Sequence, residues 1–204
     1  SKAYKVVANS FYGVVGSPYS RYFDADVAEA VTQTGVHLLK STIAYAKSLG
    51  IETLYADTDS LFCVGISEDE FAAFVARCNK ELYPDMLARA GCTTNRIKLA
   101  YEKAFASLVF TAAKRYAGSY AHYKGKRATA DSKPEIRGLE YRRGDTARAA
   151  RNLQRDIVLA VMAGETNPET YRRWLHKELT RITCEDLPPS DYVMTKTLGK
   201  PLKE

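Results

Sequence analysis

A chain of 204 residues with 46% hydrophobic side chains can bury one sizeable core or one and a half small ones. No apolar run reaches membrane-spanning length and no charged-then-apolar signal pattern opens the chain, so a soluble intracellular protein with no membrane partner is expected. The net charge of +6, from 30 Lys+Arg against 24 Asp+Glu, favours an anionic partner.

In chain order, residues 2–13 read as a helix that Gly13, Gly16 and Pro18 end. Asp26, with Glu29 three residues on, predicts a capping box opening a second helix with Val27, Ala30, Val31, Leu38 and Ala46 on its apolar face and Gly50 at its end. Glu52-Thr53-Leu54-Tyr55 and Leu61-Phe62-Cys63-Val64 are β-prone runs flanking an acidic turn, which predicts a hairpin. A helix from near Ser67 carries Phe71, Phe74, Cys78 and Leu82 on one stripe, is divided by Pro84 and closes at Gly91. Strands are predicted at Ile97–Tyr101, Ser107–Thr111, Tyr116–Tyr120 and Ile136–Arg142, with Lys124-Gly125-Lys126 as a hairpin turn. Asp145 is placed to cap a helix with Leu153, Ile157 and Val161 inward and Arg148, Arg151 and Arg155 outward, ending at Gly164. Asn167-Pro168 opens a last helix with Tyr171, Leu175, Leu179 and Ile182 inward. The fold class that follows is α+β with an antiparallel sheet.

Cys63, Cys78, Cys92 and Cys184 lack zinc-type spacing, and His37, His122 and His176 form no cluster. Cys63 and Cys78 sit on apolar faces and are expected as buried thiols. The chemistry is concentrated in three other places. Tyr55-Ala56-Asp57-Thr58-Asp59-Ser60 puts two carboxylates one residue apart at a hairpin tip. Such a tip is either an ordinary solvated turn or a site for a hard cation such as Mg²⁺, which takes oxygen ligands. Pairs of such ions about 4 Å apart serve in-line phosphoryl transfer. Lys5, Asn9 and Tyr12 fall at i, i+4 and i+7, so one helix face presents an ammonium, an amide and a phenol. An ammonium suits a triphosphate and a Tyr can pack on a base, although the same stripe could simply be solvated. Residues 114–155 hold a dense basic set that includes Lys114, Arg115, Lys124, Lys126, Arg127 and Arg137. Tyr116, Tyr120, Tyr123 and Tyr141 are interleaved with it, which favours a groove tracking a nucleic-acid backbone over a merely solvated surface.

Taken together and in order, these segments resemble family B DNA polymerases. Lys5-Val6-Val7-Ala8-Asn9-Ser10-Phe11-Tyr12-Gly13 resembles that family's Lys-x-x-x-Asn-Ser-x-Tyr-Gly signature, and the acidic hexapeptide its Tyr-Gly-Asp-Thr-Asp-Ser, with Ala56 for Gly. Lys114-Arg115-Tyr116 resembles the primer-contacting Lys-Lys-Arg-Tyr element, with Ala113 at its first position. Arg137-Gly138-Leu139-Glu140 resembles the Gly-Leu-Glu segment leading into the thumb. Lys98–Lys103 resembles the Lys-Leu-Glu-x-Glu-Lys stretch, with Ala100 for the first Glu.

The resemblance implies a right-hand polymerase palm with an antiparallel sheet and packed helices, plus the start of a helical thumb. Residues 1–14 would end the second fingers helix, 15–135 form most of the palm, and 136–204 begin the thumb. Asp59 would be a metal ligand and Asp57 its supporting neighbour, with two Mg²⁺ ions as cofactors and Glu102 as an outer-shell acid. Lys5, Asn9 and Tyr12 would bind the incoming deoxynucleoside triphosphate, and Lys114, Arg115 and Tyr116 the primer-template DNA. The family's other metal-binding Asp motif has no counterpart here, since Asp85 and Asp131 have the wrong surroundings. That implies a partner or upstream segment carrying it, in a longer polymerase or a split one. A non-catalytic DNA-binding module and a nuclease are the alternatives.

Overall fold

The computed structural model describes residues 2–129, 132–165, 167–184 and 187–196, and the side chains of Lys2, Lys5, Ala8, Asn9 and Arg142 fall outside the description. The chain divides into two compact units, Ser1–Tyr101 and Glu102–Glu204.

The first unit runs α1 (Lys2–Val15), α2 (Ala25–Ser48), β1 (Glu52–Asp57), β2 (Ser60–Val64), α3 (Glu68–Arg77), a π-helical turn (Cys78–Leu82) and α4 (Tyr83–Arg89). Helix α2 starts before the predicted cap. Asp24 is the N-cap, accepting from the Val27 amide at 3.0 Å, and Asp26 lies in the first turn. There Asp26 complements the helix dipole instead of satisfying an amide. The predicted box is instead realised at Ser67 and Glu70, which cap α3 reciprocally. Pro84 divides the following helix as its missing N–H requires. The Tyr83 amide reaches back five residues to the Cys78 carbonyl, and α4 begins with the proline in its first turn.

The core of this unit is Ala46, Phe74, Val75, Cys78 and Tyr83, flanked by Leu38, Phe71, Leu82, Ile97, Leu99 and Tyr101. Burial raises the Cys78 thiol to about 11, while Cys63 is only half-buried. Ile97–Tyr101 does turn alternate residues inward, but it is not a ladder strand. Asn79 takes the place of a partner strand. Its Nδ2 donates to the Leu99 carbonyl (2.9 Å) and its Oδ1 accepts from the Leu99 amide (2.8 Å). One side-chain amide thus satisfies both backbone groups of a half-buried extended residue. The first half of α2 departs from its predicted inward face, since Val27 and Val31 are about half exposed, at 49% and 54%.

The second unit runs β3 (Lys103–Ala112), β4 (Arg115–Tyr123), β5 (Lys126–Arg127), β6 (Glu135–Arg137), a 3₁₀ turn (Glu140–Arg142), α5 (Arg148–Met162), α6 (Pro168–Thr183) and a 3₁₀ turn at Pro189–Asp191. The sheet is antiparallel throughout, and β4 is its centre, pairing with β3, β5 and β6. Lys124 and Gly125 both have positive φ (48° and 78°), the type I′ pattern that joins β4 to β5. Ala117, Ile136, Leu139 and Val158 form the core that binds α5 to the sheet, with Tyr141 and Met162 against it.

Four predictions fail in this unit. The strand at 136–142 stops after Arg137, because Gly138 turns the chain at φ 64°. Asp145 does not cap α5; its carboxylate is held by Arg143 at 2.9 and 2.6 Å, and Ala147 stands at the N-cap without a side-chain bond. A two-point guanidinium contact outcompetes one backbone amide. Arg151 and Arg155 are half-buried instead of outward, and no residue of α6 is buried among the described residues, so Leu175 and Leu179 remain exposed. Asn167 caps α6 as predicted, accepting from the Glu169 amide at 3.0 Å. Mixed helices and antiparallel sheets therefore bear out the α+β class. No helix of the described residues is long and apolar enough to cross a membrane.

Candidate active site and nucleic-acid interface

β1 and β2 pair from Glu52↔Val64 to Asp57↔Ser60, leaving Thr58-Asp59 as a two-residue loop. A bulge at Leu54 shifts the register between Thr53 and Tyr55, and Tyr55 meets Phe62 across the pair with ring centroids 5.8 Å apart. This cross-strand aromatic pair pins the hairpin's register. Thr58 has φ 54° and Asp59 does not share the positive sign. That is the sign pattern of a type II′ turn, normally begun by glycine. A β-branched residue there costs about 1–2 kcal/mol. The Ser60 hydroxyl donates to the Asp57 carbonyl (3.1 Å) and the Thr58 hydroxyl to the Asp57 carboxylate (3.2 Å), which brace the turn. Asp57 is half-buried at the end of β1, while Asp59 is exposed at the tip.

The donors at this tip are all oxygen, which fits a hard cation and excludes a soft one. Among the described residues no three His, Cys, Asp or Glu side chains cluster as a metal site. The hairpin thus supplies a pair of carboxylates, the number a largely hydrated Mg²⁺ takes from protein, and not a full cage for two ions. Asp85 is engaged elsewhere, by Arg89 one helical turn on (2.8 Å), and Asp131 lies outside the described residues.

Helix α1 carries the second motif. Its Tyr12 side chain is exposed, as are Tyr4, Val7 and Phe11. The side chains of Lys5 and Asn9 lie outside the described residues, although both positions are helical.

In the second unit, Ala113-Lys114 forms the loop between β3 and β4, with Lys114 at φ 62° and exposed. Arg115 reaches the Glu140 carboxylate at 3.3 Å, which joins the Lys-Arg-Tyr and Gly-Leu-Glu motifs directly. Tyr116 does not point freely outward. It is half-buried, edge-on to Phe105 and tilted against Phe110, and its hydroxyl donates to Glu135. Glu102 is exposed at the start of the unit, and its carbonyl accepts from the Lys124 amide at 2.9 Å.

Glu135 is the residue that motif matching misses. It is 7% exposed. Its carboxylate accepts from Lys103 Nζ (2.7 Å), Tyr120 Oη (2.6 Å), Arg137 Nε (2.7 Å) and Tyr116 Oη (3.2 Å). Burial alone would raise its pKa; the bonds from Lys103, Tyr120 and Arg137 overcome that and hold it at about 2. Burial and the Glu135 charge push Tyr116 up to about 12 and raise Tyr120 as well. The only sequence signal was a lone acid in the basic run Lys133-Pro134-Glu135-Ile136-Arg137.

A folded pKa below the unfolded one gives stability that is present above the unfolded value and lost as pH falls through the folded value. The melting temperature should therefore drop as pH is lowered from about 4.5 to 2. Glu140 and Asp145 are shifted the same way, so the Glu135 share is the difference between wild type and Glu135→Gln. Parallel melting curves for the two across that window would refute it.

The sequence comparisons agree with the motifs. The family described as DNA polymerase family B matches residues 1–204. The chain is 29% identical over 198 residues to a DNA polymerase of Archaeoglobus fulgidus, covering 96% of this chain and 22% of that protein. It is 27% identical over 212 residues to DNA polymerase II of Escherichia coli, covering all of this chain and 26% of that one. It is also 26% identical over 214 residues to the DNA polymerase alpha catalytic subunit of Xenopus laevis, covering 98% and 13%. The chain spans about a quarter or less of the length of these curated relatives. With the whole length matched, the chain belongs to DNA polymerase family B.

Proposed function

We propose that these residues are a catalytic portion of a template-directed DNA polymerase, adding deoxynucleotides to a primer 3′-end. In this reading residues 1–14 end the second fingers helix, 15–135 are most of a right-hand palm and 136–204 begin the thumb. The observation that carries it is the exposed Asp59, held on a strained two-residue turn beside Asp57, in a chain of this family.

Asp59 binds metal and Asp57 braces the turn and supports the site. Two Mg²⁺, when bound, would stabilise charge on the attacking and leaving oxygens of the phosphoryl transfer. Lys5 holds the triphosphate as a point charge, Asn9 and Tyr12 line the pocket of the new base pair, and Glu102 is an outer-shell acid. Lys114 and Arg115 track the primer backbone, with Tyr116 beside them. Two carboxylates are too few to fix two ions, so an upstream segment carrying the second acidic motif completes the site.

Primer extension by residues 1–204 alone, and with that upstream segment co-expressed, tests the reading. Extension only in the complemented sample supports it. DNA binding without extension in either sample supports the non-catalytic module instead. Lys114→Ala should weaken binding regardless of DNA sequence and flatten the salt dependence of binding by about one unit. An unchanged slope removes Lys114 from the interface.

A further inference from the structure

We propose that Glu135 is a positioning residue for the primer duplex, acting through Tyr116. This rests on the polymerase reading above. One buried carboxylate ties together all the strands that carry the DNA-facing motifs. Lys103 follows Glu102 on β3, Tyr116 and Tyr120 lie on β4, and Arg137 ends β6 next to Gly138. A carboxylate in such a place is tolerated only when its lone pairs are taken up, and here four donors take them up.

The consequence for Tyr116 is specific. A phenol has one proton, and that of Tyr116 is directed to Glu135 Oε1. Tyr116 therefore has no proton to give a phosphate. It contributes ring surface in an orientation held by its contacts with Phe105 and Phe110 and by the bond from its hydroxyl to the carboxylate. Tyr120 bonds the same carboxylate at 2.6 Å and stacks on Phe105 and Tyr123, so it reports the structural share of the hub.

The test is a double-mutant cycle on the 204-residue chain. A fluorescein-labelled primer-template duplex is titrated by anisotropy below the melting temperature of every variant. Glu135→Gln and Tyr116→Phe should each weaken binding about threefold to tenfold, and the double variant should be no weaker than the worse single one. Tyr120→Phe should lower the melting temperature at least as much as Tyr116→Phe with a smaller loss of affinity. Additive losses overturn the inference, as do wild-type affinity in Glu135→Gln or equal losses in the two tyrosine variants. If Glu135→Gln does not fold, the Tyr116→Phe and Tyr120→Phe comparison still decides. Wild-type chain that binds no duplex overturns this inference, and overturns the polymerase reading as well if the complemented sample fails to extend primers. Normal binding with a Lys114→Ala effect but no Glu135→Gln effect overturns this one alone.

Discussion

Asp59→Ala, in the complemented protein, is expected to reduce primer extension by at least about 10³-fold, since even one preorganised electrostatic group is worth about 10²–10³ in kcat. Asp59 is exposed at the tip of a two-residue loop, so its loss should change stability by no more than about 0.5 kcal/mol. DNA affinity should hold or rise slightly, because a negative charge facing phosphates is removed. Asp57→Ala differs in kind. Asp57 is half-buried and its carboxylate accepts the Thr58 hydroxyl, so that variant loosens the turn as well as the site. Extension and melting temperature, measured on both, separate the roles. Asp59→Ala that extends primers at the wild-type rate in Mg²⁺ removes Asp59 from catalysis.

The acidic hairpin was legible because turn chemistry is local. Six consecutive residues carry the strand end, the loop and the return, and the register closes on Asp57↔Ser60. The cap at Asn167 was legible for the same reason, as was the start of α3 near Ser67, though not its capping box. Where a residue had two local options, the sequence did not rank them. Asp145 could cap a helix or pair with Arg143, and the bidentate ion pair won. Ile97–Tyr101 shows true alternation, yet whether its partner is a strand or the Asn79 side chain depends on a residue about twenty positions away.

Glu135 was least legible of all. Its ligands Lys103, Tyr120 and Tyr116 stand 32, 15 and 19 residues away, and only the sheet order brings them together. The exposed faces of α6 and the first half of α2 show the opposite limit. An amphipathic pattern says that a helix has an apolar side, not that the same unit covers it.

Gly138→Ala should be among the most destabilising single substitutions in the second unit. Gly138 has φ 64°, and a Cβ built there lies 2.3 Å from the Lys114 carbonyl oxygen, 3.1 Å from Arg115 Cγ and 3.2 Å from the Lys114 carbonyl carbon. The obstacle is backbone, so no rotamer change relieves it. The carbonyl belongs to a residue at positive φ that ends a two-residue loop, so moving it disturbs the Ala112↔Arg115 and Phe110↔Tyr116 pairings. The left-handed conformation and the overpacking together should cost roughly 2–5 kcal/mol. Gly164 supplies the control within the same unit. It has φ 91° with nothing within 4 Å of its Cβ position, so Gly164→Ala carries the conformational penalty alone. Urea denaturation of both should show Gly138→Ala the weaker by at least about 1 kcal/mol. Because the clash is with Lys114, Gly138→Ala should also weaken duplex binding under conditions where it remains folded, and Gly164→Ala should not. Equal destabilisation by the two alanines would mean that the Gly-Leu-Glu turn does not hold the Lys-Arg-Tyr loop in place.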